Sequence, residues 1–484
     1  MICERTGSEI RLSAGTRETV GVSDQPNVLL VVTDQERYDL TAAGDPAVET
    51  PGSDRLAAEG LRCSRAYTPT AICSPARVSM LTGLYPHAHG VLSNPTRSAL
   101  RTAIQPTHTT MGQVATDVGY HADYVGKWHV AGTSPGEAGF TAHTGWAHSG
   151  DQTLDTAAYR AFARDQGIDP TAAAVTDGIT SIPAEATQTA YLAERAIDRL
   201  RAYADADEPF LLRLDFPGPH GPYVVPRSLA DRYDPGALEP WPSFRETFAG
   251  KPAVHELHPS YYGAADRTWP EWAELATRYF AFETLIEEQF ARVLDALEEF
   301  GLAEDTLVIR TSDHGEFLGH HRQGNKGPLM YEDTYRVPLL ARWPGVIDPG
   351  TETDAFVTLV DLLPTICGAI GRTAPPVQGR DLRPVFEGEL AGWRDAVFAE
   401  YHGEPETLYT QRMIRTDRYK FVYNGPDVNE LYDLAADPHE LSNLVDHPAY
   451  RSIRTEHAGR LGDWMERTDD HLDVARYRRR CVES

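Results

Sequence analysis

The sequence predicts an α/β fold, a central sheet flanked by helices, followed by a smaller C-terminal α+β region. Three observations predict it. Apolar strand-like runs alternate with helical patterns over most of the chain. Near Arg380–Trp393 that rhythm gives way to short runs separated by turn residues. The 484 residues, 41% of them hydrophobic, fit one large domain with an appendage, or two domains. The expected organisation is a loose tail over residues 1–24, a main domain over 25–392 and a small domain over 393–484.

The elements follow in order. Met1–Pro26 is polar and lacks the apolar core of a signal peptide. Asn27–Thr33 (NVLLVVT) is a continuous apolar run and reads as a buried strand. Leu56–Leu61 and Val78–Leu84 read as short helical pieces. Tyr120–Val125, Phe210–Phe216 and Thr306–Thr311 are further strands. Pro217–Pro270 is rich in Pro, Gly, Tyr and Trp and reads as a long rim with little regular structure. Trp272–Leu302 carries an apolar stripe at helical spacing. Val360–Ile370 is another helix. From Ala396 the runs AVFAEY, QRMIRTDRYKFVYN and ELYDL predict a small antiparallel sheet, and Tyr450–Thr468 a last helix.

Composition excludes several classes. Lys+Arg 45 against Asp+Glu 71 gives a formal net charge of -26, which argues against a nucleic-acid partner. A few local cations can still build a cleft for an anionic substrate. Five scattered cysteines (Cys3, Cys63, Cys73, Cys367, Cys481) form neither a disulfide framework nor zinc spacings. No apolar run approaches the roughly 18 residues of a membrane span. The expectation is a cytoplasmic enzyme without a membrane partner; the sequence is compatible with a homo-oligomer.

Polar residues cluster where strands end, the place where open α/β sheets bind ligands. The first strand runs into Asp34-Gln35, the second into Gly126-Lys127-Trp128-His129. The third runs into Pro219-His220-Gly221, the fourth into Ser312-Asp313-His314-Gly315. Any one of these is more simply a turn or cap, but four together predict one shared site. Asp34 and Asp313 offer hard oxygen ligands, Gln35 an amide oxygen and His314 a ring nitrogen. That mixed set suits Ca²⁺, Mg²⁺ or Mn²⁺. Cys73 precedes Ser74-Pro75-Ala76-Arg77. Pro75 fits a first helical position with Ser74 as cap, and a helix N-terminus with Arg77 nearby would lower the thiol pKa. Cys73 is thus a candidate nucleophile, against the commoner reading of a lone buried cysteine as inert packing.

Cys73-Ser74-Pro75-Ala76-Arg77 resembles the Cys-x-Pro-x-Arg motif of type I sulfatases, in the alkaline phosphatase superfamily. Leu81–His87, Gly126-Lys127-Trp128-His129, Ser312–Gly315 with Lys326 and Tyr331-Glu332, and Glu430–Leu434 with Asp437-Pro438 and Glu440 resemble further motifs of that family. The resemblance covers nearly the whole chain. It implies an alkaline-phosphatase-like central mixed sheet and hydrolysis of a sulfate ester. It also implies that a formylglycine-generating maturation enzyme converts Cys73 to Cα-formylglycine. One hydroxyl of the hydrated aldehyde would attack sulfur, and elimination of sulfate would restore the aldehyde. One divalent cation, Ca²⁺ or Mn²⁺, is implied at Asp34, Gln35, Asp313, His314 and the modified Cys73. Arg77, Lys127 and Lys326 fall at charge-balancing positions, His129 at the formylglycine hydroxyl and His220 at the leaving alkoxide.

The chain departs from the commoner pattern at Gln35, where many members have Asp, and at His314, where many have Asn. Both variants resemble the branch holding choline sulfatases and phosphonate monoester hydrolases. Phosphonate monoester or phosphodiester hydrolysis is therefore the alternative activity. The substrate partner is a small-molecule or carbohydrate sulfate ester. His87, His89, His320 and His321 are expected to be solvated or structural.

Overall fold

The structure is a computed structural model that describes residues 25–40, 48–95, 103–104, 107–146, 157–206, 208–403, 409–425 and 427–483. The expected tail, residues 1–24, lies outside the described residues.

The central sheet has eight strands among the described residues. In chain order they are β1 (Asn27–Asp34), β2 (Leu61–Cys63), β3 (His121–Lys127) and β4 (Ala142–Trp146), then β5 (Phe210–Pro219), β6 (Thr306–Ser312), β7 (Leu339–Arg342) and β8 (Thr351–Thr353). Their order across the sheet is β8-β2-β7-β6-β1-β5-β3-β4. The run β6-β1-β5-β3-β4 is parallel, and β7 turns antiparallel beside β6. A strand buried on both faces needs apolar residues at consecutive positions, which is why β1 reads as an unbroken run. Val28, Leu30 and Val32 enter one core layer, Leu29 and Val31 the other.

The first layer is covered by α2 (Cys73–Thr82) and α6 (Leu362–Ala369), the second by α3 (Gln188–Ala206) and α5 (Trp269–Glu299). Two shorter helices complete the set used below: α1 (Pro51–Glu59), ahead of α2, and α4 (Ala253–Tyr261), ahead of α5. Helix α5 begins three residues before the apolar stripe suggests. Thr268 and Glu271 form a reciprocal capping box there, with Pro270 in the first turn.

Two expectations are corrected. Pro217–Pro270 is not merely irregular, because α4 lies inside it. Pro252 stands just outside that helix and Pro259 lies within its last turn. Ser74 is not a helix cap. Helix α2 starts at Cys73, after the extended Ile72, and Ser74 Oγ donates to the His129 carbonyl at 2.6 Å. The hydroxyl ties the start of α2 to the loop after β3 rather than closing its own first turn.

The C-terminal antiparallel sheet is separate: β9 (Ala396–Tyr401), β10 (Gln411–Thr416), β11 (Tyr419–Tyr423) and β12 (Glu430–Asp433), backed by α7 (Arg451–Arg467). It grips the main domain through buried charge. Glu400 on β9 accepts from the His87 backbone at 2.6 Å and faces His87 Nδ1 at 2.7 Å. Lys420 on β11 pairs with Glu332 at 2.9 Å and Glu440 at 2.6 Å. His87 is thus structural, and buried His89 contacts Ser79 Oγ at 3.0 Å.

Candidate active site at the strand ends

Register brings the acidic residues together. Thr33 on β1 pairs with Ser312 on β6, and the Asp313 N–H donates to the Thr33 carbonyl at 3.1 Å, so Asp34 and Asp313 leave the sheet side by side. Gly126 on β3 pairs with Asp215 on β5, placing Lys127 at the same rim. Gly126 has φ +107, and a Cβ there would fall inside the Asp215 carbonyl oxygen. Only glycine lets the strands close at this point. Gln35 and His129 follow their strands with φ of 68° and 49°, a left-handed turn that costs non-glycine residues strain and is concentrated at functional sites.

Arg77, one turn along α2 from Cys73, is fully buried and holds three carboxylates. Its Nη2 donates to Asp34 Oδ2 at 2.9 Å, its Nε to Asp313 Oδ2 at 2.9 Å and its Nη1 to Asp215 Oδ2 at 2.7 Å. A planar fork serves three acceptors at fixed angles, which a lysine cannot do. Lys127 Nζ lies 2.5 Å from Asp34 Oδ2. Lys326 Nζ donates to Gln35 Oε1 at 2.7 Å and lies 3.0 Å from His220 Nε2. His220 Nδ1 lies 2.8 Å from the Gly221 carbonyl, so Nδ1 carries the proton and Nε2 accepts from Lys326.

Cys73 sits 1% exposed among these groups. Its Sγ is 3.2 Å from His314 Nε2, and His129 and His220 also hydrogen-bond it. Burial would push the thiol up, but Lys326, Lys127 and His314 outweigh it and hold the group well below the usual thiol range. The expectation that Arg77 does this is corrected in emphasis, since its guanidinium is turned to Asp34, Asp313 and Asp215. Burial also governs the carboxylates. Asp313 is pushed up to about 7 by burial and by the neighbouring Asp34 charge. Asp34 is held well below the carboxylate range: burial and Cys73 oppose this, but Lys127, His220 and Arg77 prevail. His314 is pushed up because Asp313 and Cys73 outweigh its burial. Burial lowers His129 and His220.

These residues fit a divalent cation. One ligand atom each from Asp34, Cys73, Asp313 and His314 lies within 4.8 Å of the others, all buried. Asp34 Oδ1 is buried with no hydrogen-bond partner in the structure. A buried carboxylate oxygen left bare is costly unless a ligand completes it. His314 Nδ1 faces the Gly315 carbonyl at 2.9 Å, which leaves Nε2 as the nitrogen that would ligate a cation.

The structure therefore gathers Asp34, Gln35, Cys73, Arg77, Lys127, His129, His220, Asp313, His314 and Lys326 in one place. Two residues that the sequence reading missed belong with them. Asp215 receives Arg77 and also Arg213, whose Nε and Nη2 each reach it at 2.8 Å. The signal was there: Arg213 and Asp215 are charged residues two apart in an otherwise apolar strand. Glu316 receives the Gln35 side-chain N–H. Nothing in the sequence distinguished it from an ordinary loop acid.

The family profile described as Sulfatase matches residues 26–372. The chain belongs to the sulfatase family. A second profile, N-sulphoglucosamine sulphohydrolase, C-terminal, matches residues 319–467. An uncharacterized sulfatase of Escherichia coli (strain K12) is 31% identical over 463 residues, 92% of this chain and 88% of that protein. Human arylsulfatase A is 30% identical over 463 residues, 90% of this chain and 82% of that one. The crystal structure of the phosphonate monoester hydrolase of Agrobacterium radiobacter aligns with a TM-score of 0.78 at 26% identity. That alignment covers 92% of this chain and 96% of that one. As a family member the chain is a sulfuric ester hydrolase, on the alkaline-phosphatase-superfamily fold.

Proposed function

We propose that the protein hydrolyses a sulfate monoester with Cys73, matured to Cα-formylglycine, as its nucleophilic residue. One observation carries the reading. A buried cysteine at a helix start lies 3.2 Å from His314, inside a carboxylate–histidine cluster whose Asp34 Oδ1 is bare, with Lys127 and Lys326 acting on the same sulfur. Asp34, Asp313, His314, Gln35 and the modified residue 73 would hold the cation. When bound, the cation and the hydrated formylglycine supply charge screening and a hydroxyl nucleophile.

The remaining chemistry falls to ordinary side chains. Lys127 and Lys326 balance charge on the ester oxygens in flight. Arg77 fixes Asp34 and Asp313, which would hold the cation. His129, hydrogen-bonded to residue 73, moves the proton that frees sulfate. His220 Nε2 delivers a proton to the departing alkoxide. A carbohydrate sulfate is the favoured substrate class, because curated relatives include an N-acetylglucosamine-6-O-sulfatase of Bacteroides thetaiotaomicron, 26% identical over 498 residues.

The alternative is hydrolysis of a phosphonate monoester or phosphodiester, which carries the same single negative charge. The similarity to the Agrobacterium hydrolase favours it. So does a multifunctional alkaline phosphatase superfamily protein of Trinickia caryophylli, 28% identical over 497 residues. Two measurements test both readings. Mass spectrometry of the Cys73 peptide should show the aldehyde, and only thiol in fully active enzyme would refute the nucleophile. A panel of sugar sulfate, choline sulfate, aryl sulfate, phosphonate and phosphodiester should give the highest kcat/KM on a sulfate. A phosphonate or phosphodiester optimum would establish the alternative.

A further inference from the structure

We propose that Glu316 is a positioning residue that sets which end of the Gln35 side-chain amide faces the cation site. The inference rests on the cation reading above and deepens it.

An aspartate at position 35 would offer oxygen whichever way it turned. A glutamine has one acceptor end and one donor end, and a cation accepts only the oxygen. Something must therefore fix the amide. Glu316 is 1% exposed and lies against it. Its Oε1 accepts the backbone N–H of Leu318 at 3.0 Å and of Asn325 at 2.5 Å. Its Oε2 accepts the Gln35 Nε2 N–H. The Tyr223 hydroxyl hydrogen-bonds it as well. A carboxylate can only accept, so the Gln35 NH₂ must point to Glu316 and Oε1 must point away. Oε1 then reaches Lys326 Nζ at 2.7 Å, the lysine that also acts on Cys73 of the cation cluster. The Gln35 backbone N–H donates to Asp313 Oδ1 at 3.0 Å, which pins the other end of the residue. The carboxylate missing from position 35 thus sits one residue further out, joined to the site through an amide.

Glu316→Gln is a near-isosteric test. The two backbone N–H groups of Leu318 and Asn325 force the new side chain to keep its oxygen on their side. Its NH₂ then confronts the Gln35 NH₂. Gln35 must flip and turn a donor toward Lys326 and the cation. The reciprocal pair Gln35→Glu with Glu316→Gln reverses the hydrogen bond without changing net charge or size. Glutamate at 35 accepts from the new amide with one oxygen and offers its other oxygen to the site.

The measurement is Mn²⁺ titration by calorimetry of the matured wild type, the Glu316→Gln and Gln35→Glu variants and the swapped double variant, with circular dichroism and melting curves in chelator. Glu316→Gln should lose about 10–100-fold in Mn²⁺ affinity, the usual cost of removing a group that orients a ligand, and the swap should recover most of it. A purely structural Glu316, anchoring the loop through Leu318 and Asn325, would give additive effects: the swap would then equal Glu316→Gln plus the gain of Gln35→Glu measured alone, and only an affinity above that sum supports the orienting role. Unchanged affinity in Glu316→Gln overturns the proposal, and so does a swap no better than that sum. If Glu316→Gln does not fold, the swap alone decides, because it must fold and bind. A wild type that binds neither Mn²⁺ nor Ca²⁺ overturns the cation reading and this role with it. Normal wild-type binding with an indifferent Glu316 overturns this role alone.

Discussion

Replacement of His220 by alanine separates a proton donor from a residue that merely shapes its loop. His220 Nδ1 is committed to the Gly221 carbonyl at 2.8 Å, so Nε2 is the atom that exchanges a proton. Its partner is Lys326 Nζ at 3.0 Å, and burial together with Lys326 lowers the imidazole pKa. Nε2 that accepts from Lys326 carries no proton of its own, so His220 must take up a proton there and turn it from Lys326 to the alkoxide before it can act as the acid. A nitrophenolate departs readily without that proton, and a sugar or aliphatic alkoxide does not. Proton transfer in the transition state is worth on the order of 10²–10⁴ in rate, or about 2.7–5.5 kcal/mol of barrier. His220→Ala should thus cost 10²–10⁴ in kcat/KM on an alkyl or sugar sulfate, and less than about tenfold on nitrophenyl sulfate. The assay compares both substrates with folded, metal-loaded variant and wild type. Equal losses on the two would refute the acid role and leave His220 as a residue that positions Lys326.

Three further outcomes follow from the same geometry. Arg77→Lys keeps the charge but loses the fork that reaches Asp34, Asp215 and Asp313, so urea unfolding should show a loss of about 3–5 kcal/mol, the cost of breaking a buried pair. Asp313, pushed up to about 7, holds a proton near neutrality that a cation must displace, and His314 is shifted in the same direction. Mn²⁺ affinity should therefore fall steeply from pH 8 to pH 6, with proton release visible as a buffer-dependent heat of binding; a pH-independent affinity would refute the linkage. Gly126→Ala should leave little soluble protein, because the new Cβ meets the Asp215 carbonyl in the neighbouring strand; normal yield and melting would contradict the reading.

Much of this molecule was legible in its residues because its signals were local. The buried strands announced themselves as apolar runs, since burial on both faces leaves no room for alternation. Their ends announced themselves as Asp34, Lys127, His220 and Asp313 following directly. Hydrogen bonds that join distant segments could not be seen. Ser74 resembled a helix cap until its partner proved to be His129. Glu316 resembled any loop acid until Gln35, 281 positions away, was placed beside it. Asp215 lay between these cases. Its charge within an apolar strand marked it as paired, and only the fold could name Arg77 as a partner. Helix α4 was hidden by its prolines, which interrupt the sequence pattern more than the helix itself.

The burial of Cys73 bears on the timing of synthesis. In the finished fold the cysteine is 1% exposed and shut in by His129, His220 and His314 from the loops after β3, β5 and β6. The maturation enzyme proposed above could not reach it there. The last of these histidines comes late: His314 lies 241 positions further along the chain. At about 5–20 residues per second, a ribosome needs roughly 12–48 seconds to travel from the cysteine to that histidine. Throughout that interval β1 lacks its neighbour β6, and the cysteine lacks the His314 side of its enclosure. The wide sequence separation of the central strands, which slows folding, would on the proposed function also hold open the interval in which the nucleophile is made.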